Sequence, residues 1–258
     1  HGTSRRQRQM CIRDSISEPE ITTSKPAKMC TPPKTPVVVE APKDAVERRV
    51  TPPLSPRSRL RVTRGEETRM PTAHGDFDAV CYTETNSGLE HLVLTKGDVS
   101  TAQAPLARVH SECATGDIFG SRRCDCGEQL QKSLQLIHES NAGVLIYLRG
   151  QEGRGIGLNA KLTAYALQDQ GRDTIEANED QGLPVDARRY DAVAHILSDL
   201  RVDAVRLLTN NPAKCEALEE LGIKVVERIP VVTEPNEENY TYLLTKQKRM
   251  GHLLGLTP

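Results

Sequence analysis

Strand and helix patterns that trade places along the chain predict an α/β fold: a mixed sheet flanked by helices, with a smaller β-rich portion toward the N-terminal side. Three observations carry this expectation. Short apolar runs such as Val144–Leu148 and Val205–Thr209 have the length of buried strands. Helical spacing lies between them, as in Leu130, Leu134 and Ile137. The region around Phe77, Ala79 and Cys81 alternates apolar with polar residues, the mark of strands with one solvated face.

Residues 1–65 are rich in Pro, Ser, Thr, Arg and Lys and have no sustained period, so they are expected to form a disordered tail. The opening run through Cys11 reads as translated adapter material and carries no functional weight. Thr31-Pro-Pro-Lys-Thr-Pro36 and Thr51-Pro-Pro-Leu-Ser-Pro56 form a loose repeat suited to an extended linker. The folded catalytic domain is expected over 66–258.

Within that domain, an Asn86-Ser87-Gly88 turn joins a strand pair that ends at Lys96-Gly97-Asp98. A short strand from Ala107 to His110 delivers Cys113 from its end. A helix follows Cys126 and is closed by Gly143, and the Val144–Leu148 strand then runs straight into a glycine loop. Further helices are expected over 158–168 and 186–200, the second with Asp186 as its N-cap. After the Val205–Thr209 strand, Asn211-Pro212 supplies a cap and a first-turn proline for a helix ending before Gly222. Residues 223–232 return as a strand, and 236–250 are expected to be helical. This βαβα order places ligands at the C-terminal ends of the strands.

A formal net charge of -1 over 258 residues offers no polycation for wrapping nucleic acid. No apolar run approaches the roughly 20 residues that span a bilayer, and the N-terminus lacks a secretory apolar stretch. The expectation is a soluble, cytoplasmic protein with no membrane or nucleic-acid partner. Seven cysteines are an odd number without framework spacing. Cys81 and Cys215 read as small buried hydrophobes, whereas Cys113, Cys124 and Cys126 cluster in a way that favours a metal over disulfides.

Three thiolates suit zinc, and the fourth position decides the chemistry. If it holds water, the metal makes that water acidic enough to act near neutral pH. If His110 closes the shell, the site is a structural clip. Spacing leaves both open. Residues 150–157, Gly-Gln-Glu-Gly-Arg-Gly-Ile-Gly, are neither a Walker loop nor a Rossmann fingerprint. Their glycines still let backbone amides approach a phosphate, with Arg149 and Arg154 as charged donors. Glu152 is out of place beside a phosphate and is expected to face a cation or a ring N–H.

Arg108-Val-His-Ser-Glu-Cys113, Arg123-Cys-Asp-Cys-Gly127, the loop from Gln151 to Gly157, Ala164-Tyr-Ala-Leu-Gln-Asp-Gln-Gly171, Arg206-Leu-Leu-Thr-Asn-Asn-Pro212 and Lys248-Arg-Met-Gly-His-Leu-Leu254 together resemble GTP cyclohydrolase II. The similarity runs over about residues 69–254. It implies a homodimeric zinc enzyme of riboflavin biosynthesis, one that converts GTP to 2,5-diamino-6-(5-phospho-ribosylamino)pyrimidin-4-one, formate and diphosphate, with magnesium assisting the triphosphate.

By this resemblance the zinc ligands are Cys113, Cys124 and Cys126, with the fourth position open. Nucleotide-binding positions fall on Arg108, Val109, His110, Ser111, Glu112, Gln129, Glu152, Gly153, Arg154, Thr174, Thr209 and Lys214. Asp186 matches the proton acceptor and Arg188 a proposed nucleophile toward the α-phosphate; a guanidinium is better suited to stabilising phosphoryl charge. Tyr165 matches a tyrosine of the ring chemistry, and Asp117 is a minor candidate for magnesium or for ordering the loop. One departure is Gly150, inserted where a shorter Arg-Gln-Glu-Gly-Arg form also occurs. Larger relatives carry a dihydroxybutanone phosphate synthase domain ahead of this one; residues 1–65 are too short and polar for it, so a monofunctional chain is expected. The competing reading is a catalytically silent nucleotide-binding homologue with a structural zinc and a regulatory or scaffolding role.

Overall fold

The structure is a computed structural model that describes residues 60–257. Seven strands form one sheet: β1 (Val62–Thr72), β2 (Gly75–Glu84), β3 (Glu90–Lys96), β4 (Leu106–Ser111), β5 (Gly143–Leu148), β6 (Ala204–Leu208) and β7 (Lys224–Ile229). Their spatial order is β1-β2-β3-β5-β4-β6-β7. The pairs β1/β2, β2/β3 and β3/β5 are antiparallel, while β5/β4, β4/β6 and β6/β7 are parallel. The fold is therefore the expected mixed α/β sheet, and its β-rich N-terminal portion is the antiparallel half of that same sheet.

Among the described residues there are eight helical segments: α1 (Ala114–Asp117), α2 (Cys126–Glu139), α3 (Glu152–Gly155), α4 (Leu158–Asp169), α5 (Thr174–Glu179), α6 (Asp191–Asp199), α7 (Pro212–Glu220) and α8 (Tyr240–Met250). The central strand β5 is buried on both faces, as a strand covered by helices must be. Val144, Ile146 and Leu148 join one core with Val193, Ile196 and Leu197 of α6 and Leu218 of α7. Leu145 points the other way, into a second core with Leu134 and Ile137 of α2.

Several boundaries differ from expectation, each for a physical reason. Strand β1 starts at Val62, inside the segment assigned to the tail, and Leu60 just before it is buried in the first core; residues 1–59, including both Thr-Pro-Pro repeats, lie outside the described residues. Most of its side chains are exposed, so it has no apolar alternation to read. A bulge between Arg64 and Glu67 also shifts its register against β2. Gly143 does not close α2, whose C-cap is an extended Ser140. It opens β5 where a Cβ would come within 2.9 Å of the Leu106 carbonyl oxygen. Asp186 is not an N-cap: α6 starts at Asp191, and Asp186 lies in the preceding loop. Strand β7 stops at Ile229, three residues short of the expected Val232. Helix α5 was not expected, although Asp173 and Glu176 form a complete capping box at its start. Asn211 caps α7 with Pro212 in its first turn, as anticipated. Cys215 is half-buried against the first core, and Cys81 is half-buried in β2.

Candidate functional site

The loops after β4, β5 and β6 converge at the C-terminal ends of the parallel strands, where an open α/β sheet offers a crevice. The cleft there encloses about 1070 Å³, part of it open to solvent. Strand β4 delivers His110, Ser111, Glu112 and Cys113; β5 delivers the glycine loop; β6 delivers Thr209, Asn210 and Asn211.

One wall is a thiol cluster. Cys113 leads into α1, and Cys126 is the first residue of α2, so two short segments bring three sulfurs together. Cys113 Sγ and Cys124 Sγ are 3.7 Å apart, and all three sulfurs lie within 4.8 Å of one another. A zinc ion about 2.3 Å from tetrahedral thiolates needs sulfurs about 3.8 Å apart, so the donor set fits that metal. Hydrogen bonds from Cys124 and Cys126, together with the charge of Lys161, hold the Cys113 thiol far below its ordinary range. The hydrogen bond to Cys113 pushes Cys124 up to about 11. Among the described residues His110 is not part of this cluster. Its Nε2 faces Asp117 at 3.1 Å, its Nδ1 faces Arg108 Nη2 at 3.4 Å, and its ring stacks on Tyr147. Burial pushes its pKa down, against the pull of Asp117. Asp117 also accepts from the Cys113 amide and from Tyr147, so it orders the loop.

The glycine loop is locked by its own backbone. Gly153 and Arg154 both have positive φ, 59° and 65°. The arginine is thus held in a conformation that non-glycine residues rarely adopt. A Cβ on Gly155 would come within 3.1 Å of the Ala187 backbone, so this loop packs directly on the segment carrying Asp186 and Arg188. Arg154 completes that contact through its carbonyl, which accepts from the Ala187 amide at 2.9 Å.

A second part of the lining is cationic. The Arg108 guanidinium donates to the Leu208 carbonyl and to Gln129 Oε1, while its Nε has no partner among the described residues. Lys214, in the first turn of α7, donates to the Val109 carbonyl at 2.7 Å. Burial, followed by the charges of Arg108 and Arg188, drives its pKa well below the ordinary lysine value. Arg188 grips Asp186 through Nε (2.9 and 3.1 Å) and through Nη2. Burial works against the Asp186 carboxylate, yet Arg188 holds it below the usual carboxylate range. Tyr165 lies under the Arg123 guanidinium, 5.0 Å from the ring centre, and burial pushes its hydroxyl up to about 12.

Of the residues singled out from the sequence, the three cysteines, Arg108, His110, Ser111, Glu112, Gln129, Gly153, Arg154, Tyr165, Thr174, Arg188, Thr209 and Lys214 line this cleft. Val109, Glu152 and Asp186 do not. The Val109 side chain belongs to the core and contributes only its carbonyl, to Lys214. Glu152 turns inward to Lys161 and the Ala114 amide, so the cation it was expected to face is a lysine of the protein itself.

Sequence reasoning missed Lys161, Asp125, Tyr242, Lys246 and His252. Asp125, between two of the cysteines, accepts from Lys246 of α8 at 2.7 Å in a buried ion pair. Tyr242, one helical turn earlier, lies under the same ammonium. That i, i+4 pairing of an aromatic with a lysine was the available signal; for Lys161 there was none.

Fold and site together define an α/β protein whose cleft carries a three-thiol cluster able to hold a metal ion. The profile described as GTP cyclohydrolase II matches residues 63–230, and the chain belongs to the GTP cyclohydrolase II family. It is 54% identical over 196 residues to the "Riboflavin biosynthesis protein RibBA" of Nocardia farcinica, covering 76% of this chain and 47% of that protein. The "Probable bifunctional riboflavin biosynthesis protein RIBA 2, chloroplastic" of Oryza sativa subsp. japonica is 54% identical over 200 residues, covering 78% and 36% respectively. The "Bifunctional riboflavin biosynthesis protein RIBA 1, chloroplastic" of Arabidopsis thaliana is 53% identical over 195 residues, covering 76% and 36%. The chain thus spans between about a third and a half of the length of these relatives. No helix among the described residues is long and apolar enough to cross a membrane.

Proposed function

We propose that the chain hydrolyses GTP to 2,5-diamino-6-(5-phospho-ribosylamino)pyrimidin-4-one, formate and diphosphate, with zinc on Cys113, Cys124 and Cys126 and magnesium accompanying the triphosphate. One observation carries the reading: a single cleft is lined both by three thiols at the spacing of a tetrahedral zinc site and by the buried cations Arg108 and Lys214. When bound, zinc supplies the Lewis acidity that makes water nucleophilic at neutral pH. The remaining work falls to side chains of this protein.

Arg154, Arg188 and Lys214 bind the triphosphate. Lys214 in particular, whose charge is opposed first by burial and then by Arg108 and Arg188, gains a counter-charge beside an anion. Arg188 stabilises charge at the α-phosphate. As it turns from Asp186 toward that phosphate, the carboxylate loses the partner that lowers its pKa and becomes a better proton acceptor. The Tyr165 hydroxyl stays protonated at neutral pH and donates a hydrogen bond to the purine. Val109 and Glu152 act through Lys214 and the glycine loop rather than by touching the nucleotide.

A homodimer belongs to the same proposal, with a catalytic domain that takes in all of β1 from Val62, and light scattering on the purified chain checks its mass. The plant relatives are named chloroplastic, which leaves the cytoplasmic expectation without support. Incubation with GTP and zinc, with formate and diphosphate assayed, tests the reading. GTP that binds without formate release would favour the silent homologue.

A further inference from the structure

We propose that Lys161 is a positioning residue that fixes the Cys113 thiolate and couples the metal-holding cluster to the glycine loop. Lys161 sits on α4, one turn into the helix that follows the loop, and is buried rather than directed to solvent. Its ammonium donates to Cys113 Sγ at 3.0 Å, to Thr115 Oγ1 at 2.7 Å and to Glu152 Oε1 at 2.5 Å. A lysine has three N–H donors, and here each has an acceptor. These acceptors lie on two segments far apart in sequence: the start of α1, with Cys113 at its N-cap and Thr115 within it, and the glycine loop with Glu152.

Glu152 closes the bracket. Its second oxygen accepts from the Ala114 amide at 2.5 Å, so loop, helix α1 and thiolate are joined through one buried ion pair. Both side chains are at most 10% exposed. Removing the ammonium would leave the carboxylate buried beside the thiolates with no counter-charge, an arrangement that proteins rarely tolerate. Partners that orient a metal ligand typically change metal affinity by about 10–100-fold when removed. The same bracket means that displacing the glycine loop shifts the sulfur, and displacing the sulfur shifts the loop.

The inference rests on the reading that the three thiols hold zinc, and the experiment separates the two. Zinc affinity is measured by competition with a chromogenic chelator for the wild-type chain and for K161M, K161R, E152Q and the K161M/E152Q double variant. Cobalt(II) is then substituted to record the thiolate-to-metal charge-transfer bands. Thermal melting of each variant establishes that it is folded. The expected result is zinc affinity at least about tenfold lower in K161M, with shifted cobalt bands. K161R should recover most of that affinity, because it keeps a charged donor near the sulfur. The double variant should keep the band shift, because the N–H···S bond stays absent.

Wild-type zinc affinity and unshifted bands in folded K161M would overturn the inference while leaving the metal reading intact. Complete recovery of both signals in the double variant would also overturn it, since Lys161 would then merely neutralise Glu152. A wild-type chain that bound neither metal would instead remove the metal reading.

Discussion

The two walls of the cleft are built on opposite plans. At the thiol wall, Lys161 has three acceptors, Glu152 has two donors, and Asp117 serves His110, Tyr147 and the Cys113 amide. At the cationic wall, Arg108 Nε and a buried nitrogen of Arg154 have no partner among the described residues, and Lys214 is held against two arginines. Buried polar groups are normally paired, and cations crowded together cost stability. The thiol wall is therefore closely paired as folded, whereas the cationic wall keeps two unpartnered nitrogens beside the Arg188–Asp186 ion pair. A metal site needs fixed geometry, and on the proposed function the cationic wall would gain from the charge of a bound triphosphate.

The contrast can be broken most severely at the thiol wall. Cys124→Ser should lower bound zinc, measured by elemental analysis, and reduce formate release at least about a hundredfold; activity near wild type would remove the cluster from the mechanism. Arg188→Ala should keep full zinc content yet lose at least about tenfold in turnover, because it removes charge stabilisation and not the metal. Asp186→Asn should behave in the same way. Equal zinc loss in these variants would show that the walls are not independent.

Lys214→Met sharpens the comparison from the other side. It should raise KM for GTP about tenfold while the melting temperature holds or rises, since the lost cation is opposed in the folded state by burial, Arg108 and Arg188. A melting temperature several degrees lower would mean that its bond to the Val109 carbonyl outweighs that opposition.

The smallest effect concerns pH. Burial, then the charges of Lys246 and Arg154, push His252 down to about 4 from an unfolded value near 6.5. A folded pKa below the unfolded one means that the unfolded chain binds the extra proton first. The contribution of His252 to stability is therefore fully present above about pH 6.5 and is lost as pH falls toward about 4. His252→Gln should flatten the acid limb of a melting-temperature profile across that window, and an unchanged slope would assign the limb to other groups.

What could be read along the chain was whatever depended on near neighbours. The strand at Val144–Leu148, the Asn211-Pro212 helix start and the approach of Cys113 to Cys124 and Cys126 follow from short runs whose period or spacing carries the structure. Strand β1 was not legible, because an edge strand exposed on most of its length need not alternate. Asp186 looked like a helix cap because an acidic residue before an amphipathic stretch usually is one; its bond to Arg188 keeps it in the loop instead.

The sequence by itself determined the α/β class, the three metal-fitting cysteines, the glycine loop and the family, since each is written in contiguous motifs. Only the tertiary structure decided that His110 turns to Asp117 and away from the thiols, that Glu152 faces Lys161 and not the cleft, and that Lys246 reaches Asp125 across 121 positions. The physical reason is burial. A charged side chain removed from water must find its partner wherever the fold supplies one, and no local pattern records where that is.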